Sequence, residues 1–424
     1  MRQRVVEVPL NLAPPEWVDD PQFDLDYHLR SLAVPSPGNL DELLAEVSPL
    51  FATPLDRSRP LWEAYVAEGL SIGRGALFVK MHHCLMDGVG GVRVLAGLFS
   101  ERSSAAPRAT DEPPEPSHEP PDAGRSIAPA AMLCRAQRHN LGVAATAAAR
   151  LSRSALGALL DPLAAVDGLW KGMRAASGFG RELVMSRARS PLHAERSKSR
   201  RLATFEIPLA DIEAICRRFG VTNNDVVLTV VSGAMHRWHT SRGADVKELR
   251  ATVPVNLRAA DDTSGGNRIA LLAVRLPIGE PNPLTRLGLI HEGMSSLKQD
   301  RRAALYPILA QLMLAMPAAI SSELGRQQTY RTNFVCTNVP GPRHTCYLAG
   351  EAITSIYAYA PLVGDHPVAI ALLSYRDTVF VGLDVDPLAM PDLAHFIDAL
   401  GESLAELLAL GHEPGATIER RAAI

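Results

Sequence analysis

The stretch Lys80–Gly91, KMHHCLMDGVGG, ends an apolar run with two adjacent histidines, an aspartate and three glycines. The residues GALFVKMHH alternate well enough to predict a strand, in which neighbouring side chains face opposite ways. His82 and His83 would then point apart, so one metal ion could bind both only if the strand bends. No third ligand lies nearby at a metal-binding spacing, and the sequence therefore predicts no metal site here.

Two interpretations of the histidine pair stay open. The first is an ordinary pair of buried histidines. The second rests on the whole pattern, because a strand that ends in histidine and opens into a glycine-rich turn brings an imidazole to the edge of a cavity. A neutral imidazole, with an ordinary pKa near about 6.5, can accept a proton at neutral pH. Asp87 could hold the loop through an arginine or orient the ring, and the glycines at 88, 90 and 91 would let backbone approach closely.

Covalent catalysis has less support in the sequence. No GxSxG nucleophile elbow occurs, since Ala175–Gly180, AASGFG, has alanine where the first glycine belongs. Cys84 lies beside the histidines, but adjacency in a strand turns it away from His83. No phosphate-binding loop or dinucleotide fingerprint is present. A base without a protein nucleophile suits direct transfer, in which His83 takes the proton of a bound hydroxyl as its oxygen attacks an activated acyl group. The developing oxyanion would need a donor.

Length and composition set the wider frame. The chain has 424 residues, of which 47% are hydrophobic, so two domains are expected rather than one core. A net charge of −3 predicts no attraction of the whole chain to nucleic acid. The five cysteines are scattered and none forms a CxxC pair, which argues against a disulfide framework and fits a reducing compartment. The start lacks the apolar region of a signal peptide, and no uninterrupted apolar stretch predicts a membrane-spanning helix.

Three regions of the chain differ in composition and in their pattern of apolar residues. Residues 1–105 alternate strands and helices. Residues 106–201 open with a proline-rich, acidic run and continue as an alanine-rich, basic segment, with 14 Lys and Arg against four Asp and Glu in residues 123–201. That segment predicts either a solvated crossover helix or a surface for anionic lipid. Residues 202–424 alternate strands and helices again, so two α/β domains joined by a crossover are predicted.

Periodicity predicts the individual elements. A helix is expected at Leu40–Leu50 behind Asn39, followed by a hairpin of Leu61–Leu70 and Ala76–His83. A long buried helix is expected at Asn224–Trp238, starting at Asn223 or Asn224. Further helices are predicted at Asp211–Phe219, Leu284–Lys298 and Asp392–Leu410, and further strands at Ala203–Ile207, Leu249–Val255, Ile269–Leu276, Thr332–Thr337, Ala352–Tyr359, Val368–Ser374 and Val379–Asp384.

Four sequence blocks resemble a known family. HHCLMDG at His82–Gly88 resembles the HHxxxDG signature of acyltransferases that use coenzyme A or carrier thioesters. PLDRSRPLW at Pro54–Trp62, NND at Asn223–Asp225 and TNVPGP at Thr337–Pro342 follow in the expected order. Together they resemble the bacterial wax ester synthase/diacylglycerol acyltransferase family, over essentially the whole chain.

The resemblance implies a fold and a site. The fold would be two chloramphenicol-acetyltransferase-like α/β sandwich domains joined by a crossover, with an active-site tunnel at their interface. His83 would be the general base, and His82 and Asp87 would have mainly structural roles. Gly88 would belong to the site, and Asn224 would orient His83 or donate to the oxyanion, with Asp225 close by. Pro60, Leu61 and Trp62 would contact substrate, or would simply shape a turn.

The chain departs from the family pattern in two places. Family members usually begin with a few tens of residues before the equivalent of Arg2–Leu10, so we expect either a misassigned start codon or a first domain that lacks an edge element and exposes apolar surface. Gly364–Ile370, GDHPVAI, lacks the glycine-rich loop that usually precedes the strand with Ser374 and Tyr375.

The resemblance also implies an activity. The protein would be an acyl-CoA-dependent O-acyltransferase that moves a long-chain fatty acyl group onto diacylglycerol, giving triacylglycerol, or onto a fatty alcohol, giving a wax ester. It would bind no cofactor and release coenzyme A. It would be cytoplasmic and peripheral, at the inner face of the plasma membrane or on lipid inclusions. Two alternatives stay open: a condensation-type acyltransferase that depends on a carrier protein, and a truncated, non-catalytic relative that binds lipid. No nucleic-acid partner and no particular oligomeric state are predicted.

Overall fold

A computed structural model describes residues 1–8, 15–86, 88–100, 188–193, 196–256, 269–299 and 318–413, with residue 417 and scattered helical positions between 131 and 152. Within these ranges the strands form a three-stranded sheet, a six-stranded sheet and two short two-stranded ribbons. Because strands and helices mix in both halves of the chain, the α/β prediction is confirmed.

The three-stranded sheet belongs to the N-terminal part of the chain. Its order is β3-β4-β5, with β3 parallel to β4 and β4 antiparallel to β5, so the predicted hairpin is confirmed. The elements here are β1 (Gln3–Val6), β2 (Glu16–Asp19), α1 (Leu25–His28), β3 (Leu29–Ala33), α2 (Leu40–Ala52), β4 (Trp62–Glu68), β5 (Ala76–Met81) and α3 (Gly88–Ala96), with a 3-10 turn at Ser71–Gly73.

The helix α2 links the two sheets. It begins at a capping box in which Asn39 and Glu42 satisfy each other's backbone N–H groups, as the sequence predicted for its start. Its face with Leu43 and Val47 is buried together with Leu202 of the six-stranded sheet. The Leu202 backbone N–H also donates to Ser48 Oγ at 3.1 Å. The N-terminal sheet is therefore fixed to the larger one through this helix.

The six-stranded sheet has the order β6-β13-β12-β9-β7-β8. β9 is parallel to both of its neighbours, and the remaining pairs are antiparallel. The elements are β6 (Arg201–Pro208), α4 (Leu209–Phe219), α5 (Asn223–Thr240), β7 (Leu249–Asn256), β8 (Ile269–Leu276), α6 (Pro283–Gln299), α7 (Ala318–Thr329), β9 (Phe334–Pro340), β10 (Tyr347–Leu348), β11 (Glu351–Ala352), β12 (Val368–Tyr375), β13 (Thr378–Val385) and α8 (Leu393–His412), preceded by a 3-10 turn at Pro191–His193.

The main core lies between this sheet and its helices. The sequence VAIALLSY of β12 is apolar almost throughout because both faces of the strand are covered, and seven of its eight residues are buried. The helix α5 is buried along most of its length, since it packs against α6 and α8 as well as the sheet. Trp238 is fully buried near its end.

One predicted strand of this half is wrong. No strand covers Ala352–Tyr359, since pairing ends at Ala352. Its apolar side chains, including Ile356, instead pack with Leu373 and Phe380, and Tyr375 Oη donates to the Ile353 carbonyl. The segment thus satisfies its apolar pattern and a backbone group without joining a ladder. The predicted start of α5 is confirmed, since the helix begins at Asn223, with Thr222 as its cap.

Most of residues 106–201 lies outside the described residues, so the domain boundaries 1–105, 106–201 and 202–424 stay predictions. Residues 131–135 are helical, and Met132 packs against Val6 and Val8. Arg135 pairs with Glu16 at 3.0 Å. The described part of the basic segment therefore packs against the β1–β2 ribbon and the residues that follow β1. No helix within the described ranges combines the length and the apolar character needed to cross a membrane.

Candidate active site

The two histidines lie in a turn, not in a strand. β5 ends at Met81, so the prediction that the strand reaches His83 is wrong, and alternation does not fix the two rings. The His82 backbone is held by its N–H to the Leu61 carbonyl at 3.0 Å and by the Leu85 N–H to its own carbonyl at 3.0 Å. His82, His83 and Cys84 are all exposed at this turn. The turn therefore fixes the His82 backbone and leaves both imidazoles at the surface.

The environment of His82 disfavours its protonated form. Its Nδ1 accepts the Cys84 backbone N–H at 3.2 Å, which places the proton of the neutral ring on Nε2. Partial burial, with Arg57 and His83 nearby, lowers the pKa of His82. These observations agree with the supporting role that the resemblance implies.

Cys84 is poorly suited to be a nucleophile. Partial burial raises the pKa of its thiol above the ordinary value. Since the thiolate is the reactive form, Cys84 is mostly protonated at neutral pH. Within the described ranges, no group of three His, Cys, Asp or Glu side chains is arranged to hold a metal ion.

Pro60, Leu61 and Trp62 lie beside the histidine turn. Trp62 pairs with Met81 across the hairpin, and Pro60 and Leu61 are buried. The Trp62 ring stacks on His28 with centroids 4.6 Å apart, and its Nε1 donates to the Met1 carbonyl at 2.9 Å. These three residues pack beside the histidine turn, and Leu61 accepts the His82 N–H. Their contact with substrate stays a prediction.

Lys80, the first residue of the quoted stretch, also has a structural role. It is buried, and its Nζ donates to the Leu50 carbonyl at 2.7 Å and to the Thr53 carbonyl. A cation at the C-terminus of a helix is favourable, because the last carbonyls lack partners within the helix. Lys80 therefore ties β5 to the end of α2, just before the turn.

Asp87 lies outside the described residues, so its structural or orienting role stays a prediction. Gly88 begins α3 and is exposed at the surface. A Cβ there would lie only 2.9 Å from Val339 Cγ2. Glycine thus allows the start of α3 to approach the end of β9, and so joins the HHxxxDG block to the TNVPGP block.

Asn224 is oriented by a residue to which the sequence analysis gave no role. Asn338 Nδ2 donates to Asn224 Oδ1 at 2.7 Å, which joins the NND block to the TNVPGP block. Since the Oδ1 of Asn224 is engaged, its Nδ2 is the donor that can serve an oxyanion or an imidazole. The signal was present in the sequence, because Asn338 is part of the quoted TNVPGP block.

Asp225 is buried and fixes the first turn of α5. Its Oδ2 accepts the Thr222 N–H at 2.9 Å, which completes a capping box, and accepts His291 Nδ1 at 2.8 Å. The geometry gives Asp225 a role in positioning its neighbour Asn224. No sequence block contains His291, and nothing local in the sequence pairs it with Asp225.

The TNVPGP turn docks against the strand with Ser374. A Cβ on Gly341 would lie 2.3 Å from the Ser374 carbonyl oxygen, so only glycine fits there. The Gly341 N–H donates to Ser374 Oγ at 3.2 Å, and the Arg376 N–H donates to the Pro342 carbonyl at 2.9 Å. These contacts are those of a turn that shapes the end of β9.

Contacts therefore connect all four blocks: Leu61 with His82, Gly88 with Val339, and Asn338 with Asn224. The histidine turn carries the exposed imidazole of His83, and the first turn of α5 carries the oriented amide of Asn224. Such a pair can accept a proton and donate a hydrogen bond, which are the two needs of acyl transfer to a hydroxyl.

Comparison with known proteins gives a consistent result. The model of the wax ester synthase/diacylglycerol acyltransferase catalytic domain matches residues 1–227, and that of the C-terminal domain of the same proteins matches residues 265–408. A probable diacylglycerol O-acyltransferase of Mycobacterium tuberculosis, tgs1, is 32% identical over 99% of this chain and 87% of its own length. A putative diacylglycerol O-acyltransferase of the same organism is 31% identical over 98% of this chain and 82% of its own length.

Solved structures agree. The wax ester synthase/diacylglycerol acyltransferase from Marinobacter aquaeolei VT8 superposes with a TM-score of 0.64 at 27% identity, covering 97% of this chain and 86% of that one. The first condensation domain of the calcium-dependent antibiotic synthetase has a TM-score of 0.52 at 17% identity, covering 100% and 86%, and shares the fold. On this evidence the chain belongs to the wax ester synthase/diacylglycerol acyltransferase family.

Proposed function

We propose that the protein is an acyl-CoA-dependent O-acyltransferase that moves a long-chain fatty acyl group onto diacylglycerol or a fatty alcohol. The observation that carries the proposal is the chain of contacts that joins the four blocks, with the exposed His83 in the histidine turn and the Asn224–Asn338 pair where α5 meets β9. Relatives named as diacylglycerol O-acyltransferases, and a solved wax ester synthase/diacylglycerol acyltransferase, support the choice of acyl acceptor.

The reaction begins at the acceptor hydroxyl. An alcohol is a weak nucleophile until its proton is leaving, so a base within hydrogen-bond reach lowers the barrier. His83 takes the hydroxyl proton as the oxygen bonds to the thioester carbonyl carbon. The carbonyl oxygen then carries a negative charge. Asn224 has one of two roles here: its Nδ2 donates a hydrogen bond to that oxygen, or it orients the imidazole of His83.

The tetrahedral intermediate collapses with loss of the thiolate of coenzyme A. The carbon–sulfur bond breaks, the ester carbonyl re-forms, and the proton held by His83 passes to the departing sulfur. The products are one ester and one free thiol, and the imidazole returns to its neutral form. No acyl-enzyme forms, which agrees with the raised pKa of the Cys84 thiol.

The remaining assignments concern substrates and place. We propose coenzyme A thioesters as the acyl donors and a tunnel between the two halves as their route to His83. Because both substrates are lipids, the protein would work as a peripheral protein at the cytoplasmic face of the membrane or on lipid inclusions. This placement follows from the chemistry of the substrates.

A thiol-release assay tests the proposal. The purified protein is given palmitoyl-CoA with dioleoylglycerol, with hexadecanol, or with neither, and the lipid products are separated by chromatography. Release of thiol that depends on an alcohol, with formation of the matching ester, is the expected result. Transfer only from a carrier-protein thioester would favour the condensation-type enzyme. No thiol release with any alcohol, from protein that is folded, would favour a non-catalytic lipid-binding protein.

A further inference from the structure

The buried carboxylate of Asp225 receives few hydrogen bonds. It is 1% exposed, and its Oδ2 accepts the Thr222 N–H and His291 Nδ1. Its Oδ1 is also buried and has no hydrogen-bond partner in the part of the chain that the structure describes. A carboxylate can only accept hydrogen bonds, and burying one without donors is strongly unfavourable. His291 therefore supplies the side-chain donor that this buried group needs.

His291 reaches Asp225 from a separate element. It lies on α6, which packs against α5, and its side chain is 29% exposed. The Nδ1 edge meets the carboxylate at 2.8 Å, and since the acceptor is a carboxylate oxygen, Nδ1 must carry the hydrogen. The contact spans 66 positions of the chain, so it fixes α6 and the first turn of α5 to each other.

The first turn of α5 also carries Asn224. That residue directly precedes Asp225, and its amide meets Asn338 at 2.7 Å. Asn223 is held as well, through Cys216 Sγ at 3.2 Å. A displacement of about 1 Å at a positioning group can lower a rate by about 100-fold, so the constraint on this turn matters for the reaction.

We propose that His291 is a positioning residue of the acyl-transfer site, which holds Asn224 in place through Asp225. The inference rests on the proposed function, because Asn224 matters to turnover only if the site transfers acyl groups. His291 touches no reacting atom and acts only through the helix start.

Two substitutions separate the donor from the bulk of the ring. His291→Leu removes the donor and leaves the buried carboxylate with the Thr222 N–H alone. His291→Asn places an amide N–H near the position of Nδ1 and keeps the donor. His236→Leu is the matched control. His236 is on α5 and, like His291, uses its Nδ1, here with the Ile278 carbonyl at 2.6 Å, but it lies about 16 Å along α5 from Asp225.

The kinetic test measures thiol release below the melting transition of every variant. For His291→Leu we expect kcat to fall at least about tenfold, with the KM for palmitoyl-CoA little changed. His291→Asn should recover most of this kcat, and His236→Leu should keep the wild-type kcat whatever its melting temperature. Wild-type kcat in His291→Leu, an equal loss in His236→Leu, or no recovery in His291→Asn would each overturn the inference.

Hydrogen exchange measured by mass spectrometry gives an independent readout. His291→Leu should speed exchange in the peptide that covers residues 222–230 by at least about tenfold, and His291→Asn should slow it again. His236→Leu should leave that peptide unchanged. If the wild-type protein releases no thiol, the proposed function fails, while this exchange pattern still decides whether His291 holds the helix start.

Discussion

The strand before the histidine turn and the central strand of the larger sheet differ in burial. One of the six residues of β5 is buried, against seven of the eight residues of β12. The proposed base follows the lightly packed strand, whereas Asn224 and Asn338 stand on elements of the densely packed half. The proposed proton acceptor therefore follows a strand with little burial, and the two amides stand on elements that pack into the main core.

The largest predicted loss is a loss of activity, and it comes from a substitution in the histidine turn. His83→Ala should lower kcat by about 10²- to 10⁴-fold, or about 3–5 kcal/mol, because the base is lost. Its melting temperature should change little, since His83 is exposed. Cys84→Ala, the neighbouring control, should keep near wild-type turnover. Steady-state thiol release and thermal unfolding check both expectations. Full activity in His83→Ala, or an inactive Cys84→Ala, would reverse the roles given to the two residues.

The second effect tests the same comparison through stability. Ile370→Ala on β12 should lower the free energy of unfolding by about 2–5 kcal/mol, because it opens a cavity at a fully buried site. Leu77→Ala on β5 should cost about 1 kcal/mol or less, because its side chain is only partly buried. Urea unfolding measures both. Equal losses at the two sites would remove the contrast between the halves.

The third effect concerns pH. Asp384 is fully buried on β13, and burial raises its pKa to about 7, against the opposing influence of Arg200 at 3.8 Å. The folded state therefore binds this proton more tightly than the unfolded chain, where the ordinary pKa is 3.8. The contribution of Asp384 to stability is fully present below about pH 4 and is lost as pH rises to about 7.

Asp384→Asn should abolish this dependence. At pH 8 the variant should be more stable than the wild type by roughly 2–4 kcal/mol, with a smaller difference at pH 5. Unfolding free energies at the two pH values check it. A variant less stable than the wild type at pH 8 would contradict this prediction. It would mean that the attraction between ionised Asp384 and Arg200 exceeds the cost of burying the carboxylate.

The smallest effect concerns the amide pair. Asn338→Asp keeps the shape of the side chain but replaces the donor facing Asn224 Oδ1 with an acceptor. Asn224 should then turn its own Nδ2 toward residue 338, and kcat should fall about tenfold, or about 1.4 kcal/mol. Thr337→Ala, one position earlier on β9, is the control and should turn over normally. Unchanged kinetics in Asn338→Asp would mean that this contact does not orient the site.

Local patterns predicted much of the fold. The capped helix behind Asn39, the hairpin and the strand Val368–Tyr375 were predictable because capping chemistry and apolar periodicity act within a few residues. The segment Ala352–Tyr359 was not, because its apolar pattern is satisfied by side-chain packing while its backbone bonds elsewhere. Periodicity records which side chains are buried and does not record which backbone groups pair.

The site residues also fall into those that a local sequence pattern reveals and those that it does not. His82 and His83 were found because HHxxxDG is contiguous, whereas Asn338 and His291 act through partners that are 114 and 66 positions away. Such pairs depend on the order of strands in the sheet and on how α6 packs on α5, neither of which a local pattern specifies. The positions of the glycines at 88 and 341 were visible, but the atoms that they admit belong to distant strands.

The central claim is that the acyl group passes directly from the thioester to the lipid alcohol, with His83 as the base. Intact-mass measurement tests it most directly, on protein already shown to release thiol when an alcohol is present. Incubated with palmitoyl-CoA and no alcohol, the protein should keep its unmodified mass. A stoichiometric gain of one palmitoyl group, chased off when dioleoylglycerol is added, would contradict the account and require a covalent intermediate.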